Sequence, residues 1–132
     1  MNRPLPRPTA ETRPFWDGCA SGVLRYQSCT RCSAVQLIPR SFCANCHADS
    51  LAWHDSAAYG RVLSHTTVHR APTLAFRDET PYVIALIDMD EGFRLMTNVV
   101  GGALQVVAIG DRVRIGFRQV EGVALPHAEV CL

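Results

Sequence analysis

Cys29, Cys32, Cys43 and Cys46 form two C-x-x-C pairs separated by ten residues, and no other feature constrains this 132-residue chain as tightly. Each pair can turn two thiolates toward the same ion. A structural zinc takes four ligands and keeps no open position, and four thiolates supply that set. The gap between the pairs leaves room for one hairpin between two knuckles, so the spacing predicts a zinc ribbon holding one structural Zn2+. The alternative is two disulfides or four free thiols, which paired C-x-x-C motifs disfavour. Sulfur ligation accepts iron as well as zinc, and the sequence does not choose between them. The quartet predicts a metal site and says little about function.

The length suits one ordinary domain, or a small metal-stapled module beside a modest core. Hydrophobic residues make up 48 % of the chain, yet no apolar run is long enough to span a bilayer and no apolar leader opens it. The expectation is a soluble protein with no membrane partner. Thiols reserved for a metal favour a reducing compartment, so the expected location is cytoplasmic. All thirteen basic residues are arginine, which excludes Schiff-base and P-loop lysine chemistry. The formal charge of +1 falls to about −1 once four thiolates and a divalent ion are included. Nucleic-acid binders show a concentrated basic surface, and this chain does not advertise one.

Residues 1–23 read as an arm and a short helix. Pro4, Pro6, Pro8 and Pro14 forbid regular helix in the arm. Thr12 then serves as N-cap, Pro14 lies in the first turn, Phe15 and Trp16 are anchors, Gly18 weakens the helix and Gly22 stops it. Residues 24–56 form the metal module, with Val23–Gln27 entering the first knuckle, Ala34–Ile38 leaving it, Pro39-Arg40 turning the chain and Leu51–His54 closing it. So little core needs metal to be stable. Residues 57–132 alternate with period two. In Arg61–Arg70, Val62, Ser64, Thr66 and Val68 face one way and Leu63, His65, Thr67 and His69 the other. Pro81–Asp90 is almost continuously apolar and ends in Asp90-Glu91-Gly92; Phe93–Val100 stops at Gly101-Gly102. Arg112–Arg118 points Val113, Ile115 and Phe117 inward, and Val123–Val130 carries Pro126 as the mark of an edge or bulge. Five short strands without a long amphipathic helix predict a mainly β chain ending in a five-stranded Greek-key barrel, with the OB-fold as best candidate.

The order Phe15-Trp16, Gly22-x-Leu24, Gln27-x-Cys29-x-x-Cys32, Pro39-Arg40, Cys43-x-x-Cys46, Gly60-Arg61-Val62, Pro81-Tyr82-Val83, Asp90-Glu91-Gly92 and Ile109-Gly110 resembles the acyl-CoA-associated zinc-ribbon/OB-fold proteins of domain-of-unknown-function family 35, across roughly residues 13–120. The resemblance implies an N-terminal helix, a rubredoxin-like zinc ribbon and an OB-fold. It implies an accessory role beside a thiolase-superfamily enzyme (thiolase, aldolase or acyltransferase) or an acyl-CoA hydratase, in lipid, steroid or aromatic-acid metabolism, where the partner carries the catalytic groups. Ser33 and His47 depart from the glycine common after each knuckle, where positive φ would cost about 1 kcal/mol. His47 also raises the question of a replaced ligand, which four complete thiolates answer against.

Several constellations have both a functional and an ordinary reading. His65 and His69 could touch a phosphate or move a proton, but no carboxylate or nucleophile accompanies them, and a solvated strand face is favoured. Asp88, Asp90 and Glu91 read as a solvated turn beside Gly92. Arg112, Arg114 and Arg118 make a one-sided basic strip. Arg112 and Arg114, with Arg40, are the candidates for the coenzyme A phosphates. Phe15, Trp16 and Trp53 serve either a partner interface or the packing between helix, ribbon and barrel. Cys19 and Cys131 read as inert thiols, and no residue is assigned to catalysis. The reading is a non-catalytic subunit of an acyl-CoA-processing complex, partnered by a thiolase-like subunit that makes or breaks a carbon–carbon bond, with an acyl-CoA thioester at a shared site. The alternatives are a zinc-ribbon/OB-fold nucleic-acid module using Tyr82, Phe93 and Phe117, and a rubredoxin-like electron carrier.

Overall fold

In the computed structural model, residues 5–70, 74–100 and 107–131 are described. Helix α1 (Arg13–Ala20) starts beside Pro14, whose missing N–H would have had no helical partner there. Thr12 is the N-cap residue, but its side chain makes no cap bond. Its hydroxyl instead accepts from Thr9 N at 2.9 Å, and Thr9 Oγ1 accepts from Thr12 N at 3.2 Å, so the pair fastens the arm to the helix. Gly18 is no weak point. A Cβ there would stand 2.8 Å from the Val23 carbonyl, so the absent side chain lets the following segment fold back against the helix.

Strands β1 (Arg25–Cys29), β2 (Val35–Gln36) and β3 (Leu51–Asp55) form an antiparallel sheet in the order β2-β1-β3. Five further strands close into a barrel in the order β4-β5-β6-β8-β7: β4 (Tyr59–Val68), β5 (Tyr82–Met89), β6 (Arg94–Val99), β7 (Arg112–Val120) and β8 (Val123–Val130). Alternate residues fill its interior, with Ile87, Val113 and Ala128 wholly buried. Phe15, Cys19 and Leu24 join the same core, so helix, ribbon entry and barrel share one apolar cluster.

The ladder between β6 and β8 is parallel and holds one register pair, Val99 with Ala128. Thr97, an inward-facing polar residue 8 % exposed, donates its hydroxyl to the Pro126 carbonyl at 2.9 Å. A strand residue's N–H and C=O leave on the same side. The N–H that Pro126 lacks would therefore have faced this sparse seam, where it costs no ladder bond.

One strand departs from the expected alternation. The β4–β5 register shifts between Val62 and Ser64, so a bulge reverses the faces of everything after it. Ser64, Thr66 and Val68 pair with the outer-face residues Leu86, Ile84 and Tyr82, whereas His65 and Thr67 stand opposite the buried Ala85 and Val83. His69 lies beyond the end of β4, so the two histidines do not share a strand. The expected stop at Gly101-Gly102, and Pro4 of the arm, lie outside the described residues. Among the described residues no helix is long and apolar enough to cross a membrane.

Candidate metal centre

Each knuckle is the same loop built twice. Cys29 N donates to Ala34 O at 2.8 Å and Ser33 N to Cys29 O at 2.9 Å; Cys43 N donates to Ala48 O at 2.8 Å and His47 N to Cys43 O at 3.0 Å. Ser33 and His47 hold φ of +67° and +65°, the left-handed conformation the motif requires and glycine would adopt more cheaply. In the second knuckle the turn aims amides at sulfur: Asn45 N and Cys46 N lie 3.3 and 3.4 Å from Cys43 Sγ. The Asn45 side-chain amide reaches Cys32 Sγ at 3.5 Å.

The four Sγ atoms all lie within 4.8 Å of one another, with Cys29–Cys46 and Cys32–Cys43 both at 3.6 Å. A tetrahedral centre with Zn–S arms of about 2.3 Å has sulfur–sulfur edges of about 3.8 Å. The same separations are far too long for a disulfide bond of about 2.05 Å, and all four cysteines are free. Donor type, number and spacing therefore fit a closed four-thiolate site. The Cys32 thiol is lowered to about 6, chiefly by the Asn45 side-chain hydrogen bond and then by backbone donation, whereas Cys46, despite a backbone hydrogen bond from Ala48, is raised to about 11 by burial and the neighbouring thiols. His47 is exposed and stands outside the ligand group.

The turn Asp90-Glu91-Gly92-Phe93 keeps Asp90 and Gly92 exposed, as its composition suggests, and through Glu91, Gly92 and Phe93 it also joins the barrel to the ribbon. Both Asp90 carboxylate oxygens accept from Arg112, Nη1 and Nη2 each at 2.6 Å, and that guanidinium lies 5.4 Å from the Tyr59 ring centroid. Glu91 accepts from Ser56 Oγ at 2.9 Å and Ala57 N at 2.8 Å, fixing the link between ribbon and barrel. Gly92, at φ +102°, passes so near Val35 of β2 that a Cβ would meet its methyl group at 3.3 Å. Phe93, 2 % exposed, stacks on Tyr26 of β1.

The remaining candidates are scattered. The basic strip is already partnered: besides Arg112–Asp90, Arg114 meets Glu129 at 3.4 Å and Arg118 meets Glu79 at 3.3 Å. Asp88 faces outward, 4.0 Å from Arg94. Arg40 is exposed in the loop between the knuckles. Phe15 is 8 % exposed and packs edge-on against Trp16, with 4.9 Å between ring centroids. Trp16 and Trp53 are half-buried against the same core. Cys19 is 1 % exposed and burial pushes its thiol up to about 11, while Cys131 is exposed. Of the barrel aromatics, Phe93 is buried under Tyr26, Phe117 is half-buried against the core, and Tyr82 packs near Phe76.

Sequence reasoning placed Gln27 in the family motif but missed its role. It is 3 % exposed, donates from Nε2 to the Arg40 carbonyl at 3.0 Å, and accepts at Oε1 from Arg40 N at 3.0 Å and Gln36 Nε2 at 2.9 Å. Gln36 in turn accepts from Ala44 N at 3.1 Å. The available signal was parity: Gln27 is in phase with Cys29 and so faces the ribbon interior.

Comparison with known proteins gives two adjoining family matches. The model described as "ChsH2, rubredoxin-like zinc ribbon domain" covers residues 16–52, and "ChsH2, C-terminal OB-fold domain" covers residues 53–118. The chain is 31 % identical over 93 residues to a DUF35 domain-containing scaffold protein of Methanothermobacter thermautotrophicus, taking in 70 % of this chain and 69 % of that one. It is 32 % identical over 119 residues to a probable enoyl-CoA hydratase alpha subunit of Thermomonospora curvata. That match takes in 90 % of this chain and 37 % of the relative, so the chain spans little more than a third of that protein's length. Among solved structures, a chain of an "Ltp2-ChsH2(DUF35) aldolase" superposes with a TM-score of 0.83 at 28 % identity, over 97 % of this chain and 100 % of that one.

Proposed function

The chain belongs to the ChsH2/DUF35 family of zinc-ribbon and OB-fold proteins, and on that premise we propose that it is a non-catalytic accessory subunit of an acyl-CoA-processing complex. Its partner is a thiolase-superfamily enzyme (thiolase, aldolase or acyltransferase) that makes or breaks a carbon–carbon bond beside a thioester. The observation that carries this reading is the end-to-end likeness to a chain of an Ltp2-ChsH2(DUF35) aldolase. The roles of the polar residues agree with it: Glu91 ties the barrel to the ribbon's exit at Ser56 and Ala57, and Asp90 and Arg112 brace one another within the barrel.

In this reading residues 24–56 are the ribbon and 57–132 the barrel, and the protein works in the cytoplasm. Cys29, Cys32, Cys43 and Cys46 would hold one Zn2+, which supplies cross-linking and no chemistry. The acyl-CoA thioester is held at a site shared with the partner. On this chain the best-suited wall for it is a cleft of about 410 Å3 between Leu24, Ala57, Tyr59, Arg114 and Phe117. Arg112 is locked by its twin bonds to Asp90, whereas Arg114 has one exposed partner at 3.4 Å. Such a pair is worth under about 1 kcal/mol, so a phosphate can exchange for the carboxylate.

The test is co-expression of the full chain with a thiolase-superfamily subunit from the same organism. A stable complex whose turnover exceeds that of the enzyme alone is expected. An enzyme fully active alone, beside a chain that stays unattached, would overturn the reading.

A further inference from the structure

We propose that the ribbon loop Ile38–Phe42 is the element that docks on the partner enzyme, with Arg40 meeting a carboxylate between two apolar contacts made by Ile38 and Phe42. This rests on the accessory-subunit reading above. Ile38 is 66 % exposed and Phe42 60 %, two large apolar side chains that add almost nothing to the core. Arg40 stands between them, also exposed, and among the described residues no carboxylate pairs with it. Arg25, Arg94, Arg112, Arg114 and Arg118 have such partners, whereas the exposed Arg13 and Arg31, like Arg40, have none among the described residues.

The loop is nevertheless held rigidly. The buried Gln27 side chain takes both the N–H and the C=O of Arg40, each at 3.0 Å, and Gln36 braces Gln27 while holding Ala44 N. From the other side, Ser41 donates its hydroxyl to Glu11 of the N-terminal arm at 3.3 Å. Glu11, Arg40, Ser41 and Phe42 thereby border a cleft of about 320 Å3, room for a side chain of the enzyme. A buried amide committed to fixing a loop whose side chains point to solvent stabilises presentation more than folding. Fixing the loop in advance removes the ordering entropy that association would otherwise cost. An aromatic and an arginine on a rigid loop have the composition of an interface hot spot, and an exposed guanidinium with no carboxylate partner among the described residues selects an acidic counterpart.

The experiment measures affinity between the zinc-loaded full chain and the purified thiolase-superfamily subunit, for wild type, Phe42→Ser, Arg40→Glu and a distant control, Met96→Ser. Met96 is 71 % exposed on the outer face of β6. Each loop variant is expected to weaken binding by more than about tenfold with zinc content and melting temperature unchanged, and the control to bind as wild type. Wild-type affinity in both loop variants overturns the inference, and so does loss confined to Met96→Ser. If loop variants instead abolish self-association of the isolated chain and leave the enzyme bound, the loop joins copies of this chain and the assignment falls. A wild-type chain that binds no such enzyme overturns the accessory-subunit reading itself, which keeps the two failures distinguishable.

Discussion

Tyr26 of the ribbon stacks on Phe93 of the barrel, ring centroids 4.8 Å apart and planes within 21°. Phe93 is 2 % exposed, so this contact is where the two halves of the chain share a core. Phe93→Ala should cost about 3–5 kcal/mol, the range for a buried aromatic truncated in place. Tyr26→Ala should in addition split one cooperative urea transition into two, read by tryptophan fluorescence for the ribbon and far-ultraviolet circular dichroism for the barrel. A single unshifted transition in Tyr26→Ala would show that the stack does not couple them.

Cys29→Ser should lose the bound metal and unfold the ribbon while the barrel strands persist. One equivalent of zinc per wild-type chain, none in the variant, and a colourless protein throughout are the expected results by elemental analysis and absorption. Chelation of the wild type should reproduce the variant, because metal-binding energy is folding energy for so small a module. A variant that kept its zinc and its complex but lost turnover would mean that the thiolates take part in chemistry.

Ser33, His47 and Ala58 hold φ of +67°, +65° and +70°. The left-handed region costs a residue with a Cβ about 1–2 kcal/mol, of which the extra freedom of unfolded glycine returns about half. Ser33→Gly, His47→Gly and Ala58→Gly should therefore each stabilise by about 0.5–1 kcal/mol in denaturant titrations. Gains at Ser33 and His47 should also appear as slower zinc release to a chelator.

The Asp90 carboxyl lies below the usual carboxylate range, first because it accepts hydrogen bonds from Arg112 and then because of that group's positive charge. With the folded value depressed, the stabilisation is present above the unfolded carboxyl value near 4 and fades as pH falls through the folded one. Thermal melts between pH 6 and pH 3 should fall more steeply for wild type than for Arg112→Gln, with the two converging at the acid end. Parallel curves would show that the pair contributes nothing.

The metal module was legible because its information is local. Two C-x-x-C repeats fix which atoms meet whatever the rest of the chain does, and the positive-φ requirement at Ser33 and His47 follows from knuckle geometry alone. The barrel was legible as strands for the same reason, since period-two alternation is written along each segment. The faces of β4 were not. A bulge at Leu63 leaves no mark in the pattern, and it reverses every residue after it.

What the sequence determined by itself, then, was the four-thiolate cluster and the order of helix, ribbon strands and barrel strands. Tertiary structure alone decided the rest: that Asp90-Glu91-Gly92-Phe93 is a joint, that Arg112 is locked by Asp90, and that Gln27 fixes a loop thirteen residues away. A ligand spacing or an alternation is enforced by bonds between neighbours. A carboxylate's partner is chosen by whichever guanidinium the closed barrel brings within reach, and no local pattern records that choice.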